Sequence, residues 1–191
     1  MPFPRTWAEE LVAEWLTLRG YLVLTNVRLR GRREVDVIDF RVLDDGGYEV
    51  FHVEVGAIWD KADKIVKMID DRFSEERVSD VLKVLGYYVG REIENPKYEK
   101  WFIVTGGSPG VIEEVKRRLQ DKGSNVKVST LKEFVKIILE DVEKWQKYMV
   151  NSRLRDPTTT VATPENLWLI GMLIVVKDTY KPEGHRTTNL E

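Results

Sequence analysis

The stretch from Arg30 to Gly56 constrains this chain more than any other. It reads as two β-branched, aromatic-rich strands, Glu34–Leu43 and Tyr48–Val55, joined at Asp44-Asp45-Gly46-Gly47. Asp and Gly tolerate positive φ, so the joint suits a tight hairpin turn. Each strand carries an acid where a buried strand prefers a hydrophobe: Asp36 between Val35 and Val37, and Glu54 between Val53 and Val55. Two carboxylates brought together by adjacent strands repel unless a cation lies between them. That conflict marks the hairpin as the place to look for chemistry.

The flanking chain predicts how the hairpin is covered. Thr6 and Glu9 have capping-box spacing, and Ala8, Leu11, Val12, Trp15 and Leu16 fall at helical intervals up to Gly20. Tyr21–Leu29 reads as a strand. After Gly56 the pattern turns helical, with Ile58, Ala62, Ile65, Val66, Ile69 and Phe73 on one face and Lys61, Lys64 and Lys67 on another. A second helix runs from Glu75 to Tyr88. Lys100–Thr105 is a continuous apolar strand of the kind buried on both faces. Ser108 and Pro109 open a further helix, Asn125–Ser129 is a short strand, and Thr130 with Glu133 caps a long helix to Tyr148. Three antiparallel strands followed by a β-α-β crossover predict an α/β fold with a mixed sheet flanked by helices.

In this order the chain resembles the PD-(D/E)XK nuclease superfamily, of the archaeal Holliday-junction resolvase and Mrr-like restriction-endonuclease type. The resemblance rests on Trp7-Ala8-Glu9-Glu10-Leu11 with Gly20-Tyr21 at the end of the first helix, on Val35-Asp36-Val37-Ile38, and on Val53-Glu54-Val55. It covers roughly Thr6 to Gly56, and more loosely the element order out to Lys122. It implies a restriction-endonuclease-like sheet and a metal-dependent DNA endonuclease. Asp36 and Glu54 become Mg²⁺ ligands, with Mn²⁺ as a substitute, and Glu9 becomes the helix acid of the same site. Such chemistry wants hard oxygen donors, because a divalent ion offsets phosphate charge and lowers the pKa of a bound water. The family's third motif ends in a lysine two residues after its glutamate, where this chain has Gly56. Some members supply the lysine from the following helix, which makes Lys61 and Lys64 catalytic candidates. If neither serves, a catalytically weakened nucleic-acid-binding module on the same fold is the alternative.

Each assignment competes with a plainer one. Glu9 also suits a purely structural cap, with Glu10 as its fallback in the site. Asp36 and Glu54 also suit exposed strand acids, and Lys61 and Lys64 a solvated helix face pairing with Asp60 and Asp63. Arg28, Arg30, Arg32 and Arg33 form either a phosphate-gripping cluster for DNA or a solvated connection. His52 lines the cleft or packs as a hydrogen-bonded core histidine, and Glu34 and Asp39 are expected to face solvent, with the edge of the site as the alternative for Asp39. Gly106-Gly107-Ser108 reads as an ordinary strand-to-helix connection, since it lacks the Gly-Lys-Ser/Thr ending of a phosphate loop.

Composition bounds the rest. The 191 residues suit a nuclease-like domain over 1–150, a linker over 151–163, an apolar helix over 164–180 for packing or dimerisation, and a frayed tail over 181–191. A formal charge of −2 means any DNA binding, duplex or branched, must come from local patches. No Cys, 32% charged residues and no secretory signal before the first helix predict a cytoplasmic protein, of a hot environment, with no membrane partner. A homodimer is expected, because cutting two strands calls for two sites.

Overall fold

The β-branched runs form the strands that their alternation predicts. In the computed structural model, which describes residues 6–151 and 167–179, β2 (Glu34–Val42) and β3 (Tyr48–Ile58) build the antiparallel hairpin. Pairing runs from Val37 opposite Val53 to Val42 opposite Tyr48. The turn closes as the sequence predicts. Gly46 takes φ +80°, and the Asp45 carboxylate accepts from the Gly47 amide at 2.8 Å.

Three further strands extend the hairpin: β1 (Leu22–Arg28), β4 (Lys97–Gly107) and β5 (Val126–Thr130). The order is β1-β2-β3-β4-β5, an open sheet. β1, β2 and β3 pair antiparallel, while β4 and β5 run parallel to β3. The parallel pairs need crossovers, which helices supply. α2 (Ala62–Arg72) and α3 (Glu75–Val89) join β3 to β4, and α4 (Pro109–Asp121) joins β4 to β5. The fold is α/β, a mixed five-stranded sheet flanked by helices.

Side chains alternate between the faces of a strand, so each strand serves two cores. On one face Ile38, Phe40 and Val50 meet Val81 and Leu85 of α3. Further along, Ile58, Phe102 and Val104 meet Ile65 and Ile69 of α2 and Val115 and Leu119 of α4. On the other face Phe51 and Trp101 pack against Trp15 of α1 (Trp7–Leu18) and Phe134 of α5 (Leu131–Asn151). Trp101 to Val104 are all nearly inaccessible, as a strand covered on both sides should be.

β3 is longer than its sequence pattern suggests. It continues past Val55 to Ile58, and β4 matches it out to Gly107, with a register shift at Gly56/Ala57. Ile58, read from sequence as the first inward residue of a helix, is instead the last inward residue of the strand. Its parallel partner decides this, because hydrogen bonds from β4 satisfy the backbone that a helix would otherwise use. Asp39 also departs from expectation. It is buried on the Phe51 face, and burial, partly offset by the nearby Phe51 amide and Arg19, pushes its carboxyl well above the usual range.

The chain divides into two compact units, Met1–Lys136 and Ile137–Glu191. In the second, α6 (Trp168–Thr179) buries Leu169, Ile170 and Ile174, and Lys177 pairs with Glu143. The linker and tail lie outside the described residues, apart from residue 151, which ends α5. Among the described residues no helix is long and apolar enough to cross a membrane.

Trp15 is the aromatic centre of the second core. Its ring centroid lies 5.1 Å from Phe134, 5.6 Å from Trp101 and 6.3 Å from Phe51. Trp15→Ala is expected to destabilise the protein by about 3–5 kcal/mol, read as a lower urea midpoint at unchanged slope.

Candidate functional site

Asp36 and Glu54 lie where the hairpin register sends them. The pairing that sets Val37 opposite Val53 and Ile38 opposite His52 directs Asp36 to the same face as Glu54. The two carboxylates share one cation, the Arg72 guanidinium at the end of α2. Its Nη1 lies 3.7 Å from Asp36 Oδ2 and donates to Glu54 Oε2. Asp36 Oδ2 also accepts from the Val55 amide at 2.8 Å, tying β2 to β3 beyond their last paired residues.

Glu54 is completely buried and surrounded by donors. Arg77 of α3 places Nη1 3.6 Å from Oε1, and His52 Nε2 lies 3.3 Å from the same oxygen. The other ring nitrogen of His52, Nδ1, is 3.0 Å from the Tyr98 hydroxyl. This network sets the histidine tautomer. Burial, with the Glu54 and Asp39 charges nearby, pushes the Tyr98 hydroxyl up, so it keeps its proton and donates to Nδ1. Burial also pushes His52 below its usual range, against the pull of Glu54, so the ring is neutral and its Nε2–H donates to Glu54. His52 is thus a packed histidine, its ring centroid 4.6 Å from that of Phe73 at a tilt of 53°, that also orients the glutamate.

Glu9 reaches this region from α1. It caps its own helix: the Thr6 hydroxyl accepts from the Glu9 amide at 3.2 Å and donates to its carboxylate at 3.0 Å. Its charge is also felt at Asp36. Burial, then the Glu54 charge, then Glu9 raise the Asp36 carboxyl to about 7, against the Val55 amide and Arg72. The crowding of these acids falls on Asp36, whose carboxyl rises.

The lysines expected from the following helix are elsewhere. Lys61 precedes the first turn of α2, and Lys64 pairs with Asp60 at 3.2 Å on the surface. Helix length explains this. The 11 residues of α2 rise by about 16 Å, and the chain from Glu54 to Ile58 covers about 13 Å. A helix folded back along β3 therefore returns to the level of the acids at its last residue, not its first. Arg72 occupies the place proposed for a lysine. Its signal was legible, since it follows Ile65 and Ile69 on the inward stripe, as Arg77 precedes Val81 by one turn.

The described arginines of the cluster lie along α3 near Asp80. Arg33 pairs with Glu76 and lies 3.9 Å from Asp80, both on α3, and its Nε donates to the Arg30 carbonyl at 3.2 Å. Arg28 and Arg30 are exposed and line a groove of about 430 Å³ with Asp80 and Lys83, while the Arg32 side chain is outside the described set. Glu34 is half-buried. Gly106 and Gly107 pack against the end of β3, where a Cβ on Gly107 would meet the Ile58 carbonyl oxygen at 2.6 Å. Close strand packing therefore accounts for these glycines.

The donor set suits a hard cation in kind, being carboxylate oxygen throughout. Asp36 is the accessible member, with about a fifth of its side chain exposed. Both Glu54 oxygens are already engaged by Arg72, Arg77 and His52. Among the described residues no group of three or more His, Cys, Asp or Glu side chains is arranged to hold a metal ion. A divalent ion at Asp36 and Glu54 would compete with Arg72 for the same charge.

Fold and site together define an α/β protein in which a buried glutamate of the central strand meets a partly exposed aspartate of its neighbour. No family model matches the chain, and no curated protein matches it. It is similar to a crystal structure of a protein of unknown function, AF1548, at 20% identity and a TM-score of 0.41, over 88% of this chain and 76% of that one.

The raised Asp36 carboxyl has a measurable consequence. Between the ordinary aspartate range near 4 and about 7, the folded protein holds a proton that the unfolded chain has released. This group's contribution to stability therefore falls as pH rises through that window. In metal-free buffer, denaturation at about pH 5 and about pH 8 should show wild type losing stability relative to Asp36→Asn, which lacks that titration.

Proposed function

We propose that this chain is a Mg²⁺-dependent DNA endonuclease that hydrolyses phosphodiester bonds, with Mn²⁺ as a substitute ion. The observation that carries the reading is the convergence of Asp36 and Glu54 from adjacent strands around one shared cation, with a third acid, Glu9, adding its charge. Carboxylates gathered in one place suit a protein that binds a doubly charged ion. Asp36 and Glu54 are the residues that would hold the ion, with Glu9 completing the site. The bound ion would supply a water of lowered pKa and offset charge on the phosphate.

The protein's own groups supply the rest. Tyr98 fixes His52, and His52 fixes Glu54, so the buried ligand is oriented before anything binds. Arg72, partly exposed and set between the acids, provides a planar donor suited to a phosphate oxygen. Arg28 and Arg30 offer further positive charge for a duplex or branched DNA. Cutting both strands adds a homodimer to the proposal.

A second reading has its own support: a nucleic-acid-binding module on the same fold without turnover. Arg72 already neutralises the pair, and the described residues offer no three-ligand metal group. Gly56 distinguishes the two. A Cβ there meets Phe102 Cζ at 3.6 Å, an ordinary contact, so the position tolerates a Cβ.

Cleavage of plasmid and branched DNA with Mg²⁺ tests the first reading. Asp36→Ala and Glu54→Ala, checked for retained fold by circular dichroism, should each lose about 100-fold or more in rate. Unchanged cutting in both refutes it. Binding without turnover, with cutting gained in Gly56→Lys, selects the second reading.

A further inference from the structure

We infer that Trp59 is a stacking platform for an unpaired nucleobase, serving the nucleic acid handled at the acid site; the inference rests on the function proposed above. Trp59 is 79% exposed, which is unusual for the largest apolar side chain in a connection this short. Residues 59–61 alone join β3 to α2, and the connection is tightly held. The Lys61 amide donates to Asp60 Oδ1 at 2.9 Å, and Lys64 Nζ reaches Asp60 Oδ2 at 3.2 Å.

The ring has a built seat. Gly106 lies against it, and a Cβ there would stand 3.0 Å from the ring's Cζ2 and 3.4 Å from Cη2. A Cβ at 106 would make the indole give by a few tenths of an ångström, so the glycine lets the ring lie close against β4. A supported, water-facing indole suits a flat apolar partner such as a nucleobase, because every base presents a π-face.

Position and charge favour nucleic acid over a protein partner. Trp59 follows Glu54 by five residues, just past the end of the same strand and about 16 Å from it towards the carboxyl end of the sheet. Lys61, Lys64 and Lys67 stand exposed at three-residue spacing from that turn into the adjoining helix, interleaved with Asp60 and Asp63, an edge on which Lys61 and Lys67 offer positive charge to a phosphate backbone. A strand held by that edge would present a base to the indole on its way to the acids. Paired bases inside a duplex hide their faces, so the platform selects single-stranded or splayed DNA.

The 191-residue chain, with fluorescein-labelled DNA in Mg²⁺-free buffer, tests this by anisotropy. Wild type, W59A and W59F are compared on a splayed duplex and a blunt duplex, with D36A cleavage as the control for the active site. W59A should bind splayed DNA about tenfold more weakly, W59F should recover most of the loss, and blunt-duplex binding should stay unchanged. Equal binding of splayed DNA by wild type and W59A, with cutting still abolished in D36A, overturns the Trp59 assignment alone. Equal weakening on both DNAs overturns it too, since stacking on an unpaired base would not do that. A wild type that neither binds nor cuts any DNA overturns this inference and the nuclease reading together, and leaves a protein as the class of partner for the exposed ring.

Discussion

A carboxylate with no access to water sets the terms for this structure. Glu54 is wholly buried in the central strand, and an unpaired charge there would be prohibitively unfavourable. Its compensation comes from three directions: Arg72 ends α2, Arg77 stands in the first turns of α3, and His52 lies two residues back on the same strand. Tyr98 of β4 then holds His52. The crossover helices are therefore tied to the sheet by charge as well as by the apolar contacts of Ile65, Ile69, Val81 and Leu85. Loss of this one residue would leave two guanidinium groups facing a cavity.

The same strand carries a second buried glutamate on its other face, and the contrast is informative. Glu49 accepts from the Tyr21 hydroxyl at 2.5 Å, from Arg41 Nε at 2.8 Å, and from Lys97. Burial would push its carboxyl up, but the hydrogen bonds from Lys97, Tyr21 and Arg41 outweigh it and hold it at about 2. That carboxylate is saturated, which is the signature of a structural ion pair. At the Asp36–Glu54 site one acid is instead raised to about 7. A glutamate of β3 and an aspartate of β2 thus end in opposite electrostatic states because of the number of donors around them.

Much of this was legible in the chain. Asp-Asp-Gly-Gly sets the hairpin turn, the turn sets the register, and the period of two then puts residues 36 and 54 on one face. The Thr130–Glu133 capping box forms in both directions, at 3.2 Å and 2.7 Å. What escaped depends on lengths and partners. Ile58 fits a helical stripe as well as a strand, and only pairing with β4 decides between them. Lys61 and Lys64 are close to Glu54 in sequence, but closeness along a chain that reverses direction is a poor guide to closeness in space. Asp39 looks like a surface acid because it sits in an alternating strand, yet the covering of both sheet faces removes its solvent.

The amino-acid sequence by itself determined the elements, the mixed order of the sheet and the meeting of Asp36 with Glu54, because these follow from local turn chemistry and strand periodicity. The tertiary structure alone decided which cation answers those acids, because the choice of Arg72 over Lys61 or Lys64 depends on how far a helix runs before it returns to the strand it left. It also decided that Trp59 stands in water over a glycine, since a ring's exposure depends on what the other strand leaves beside it.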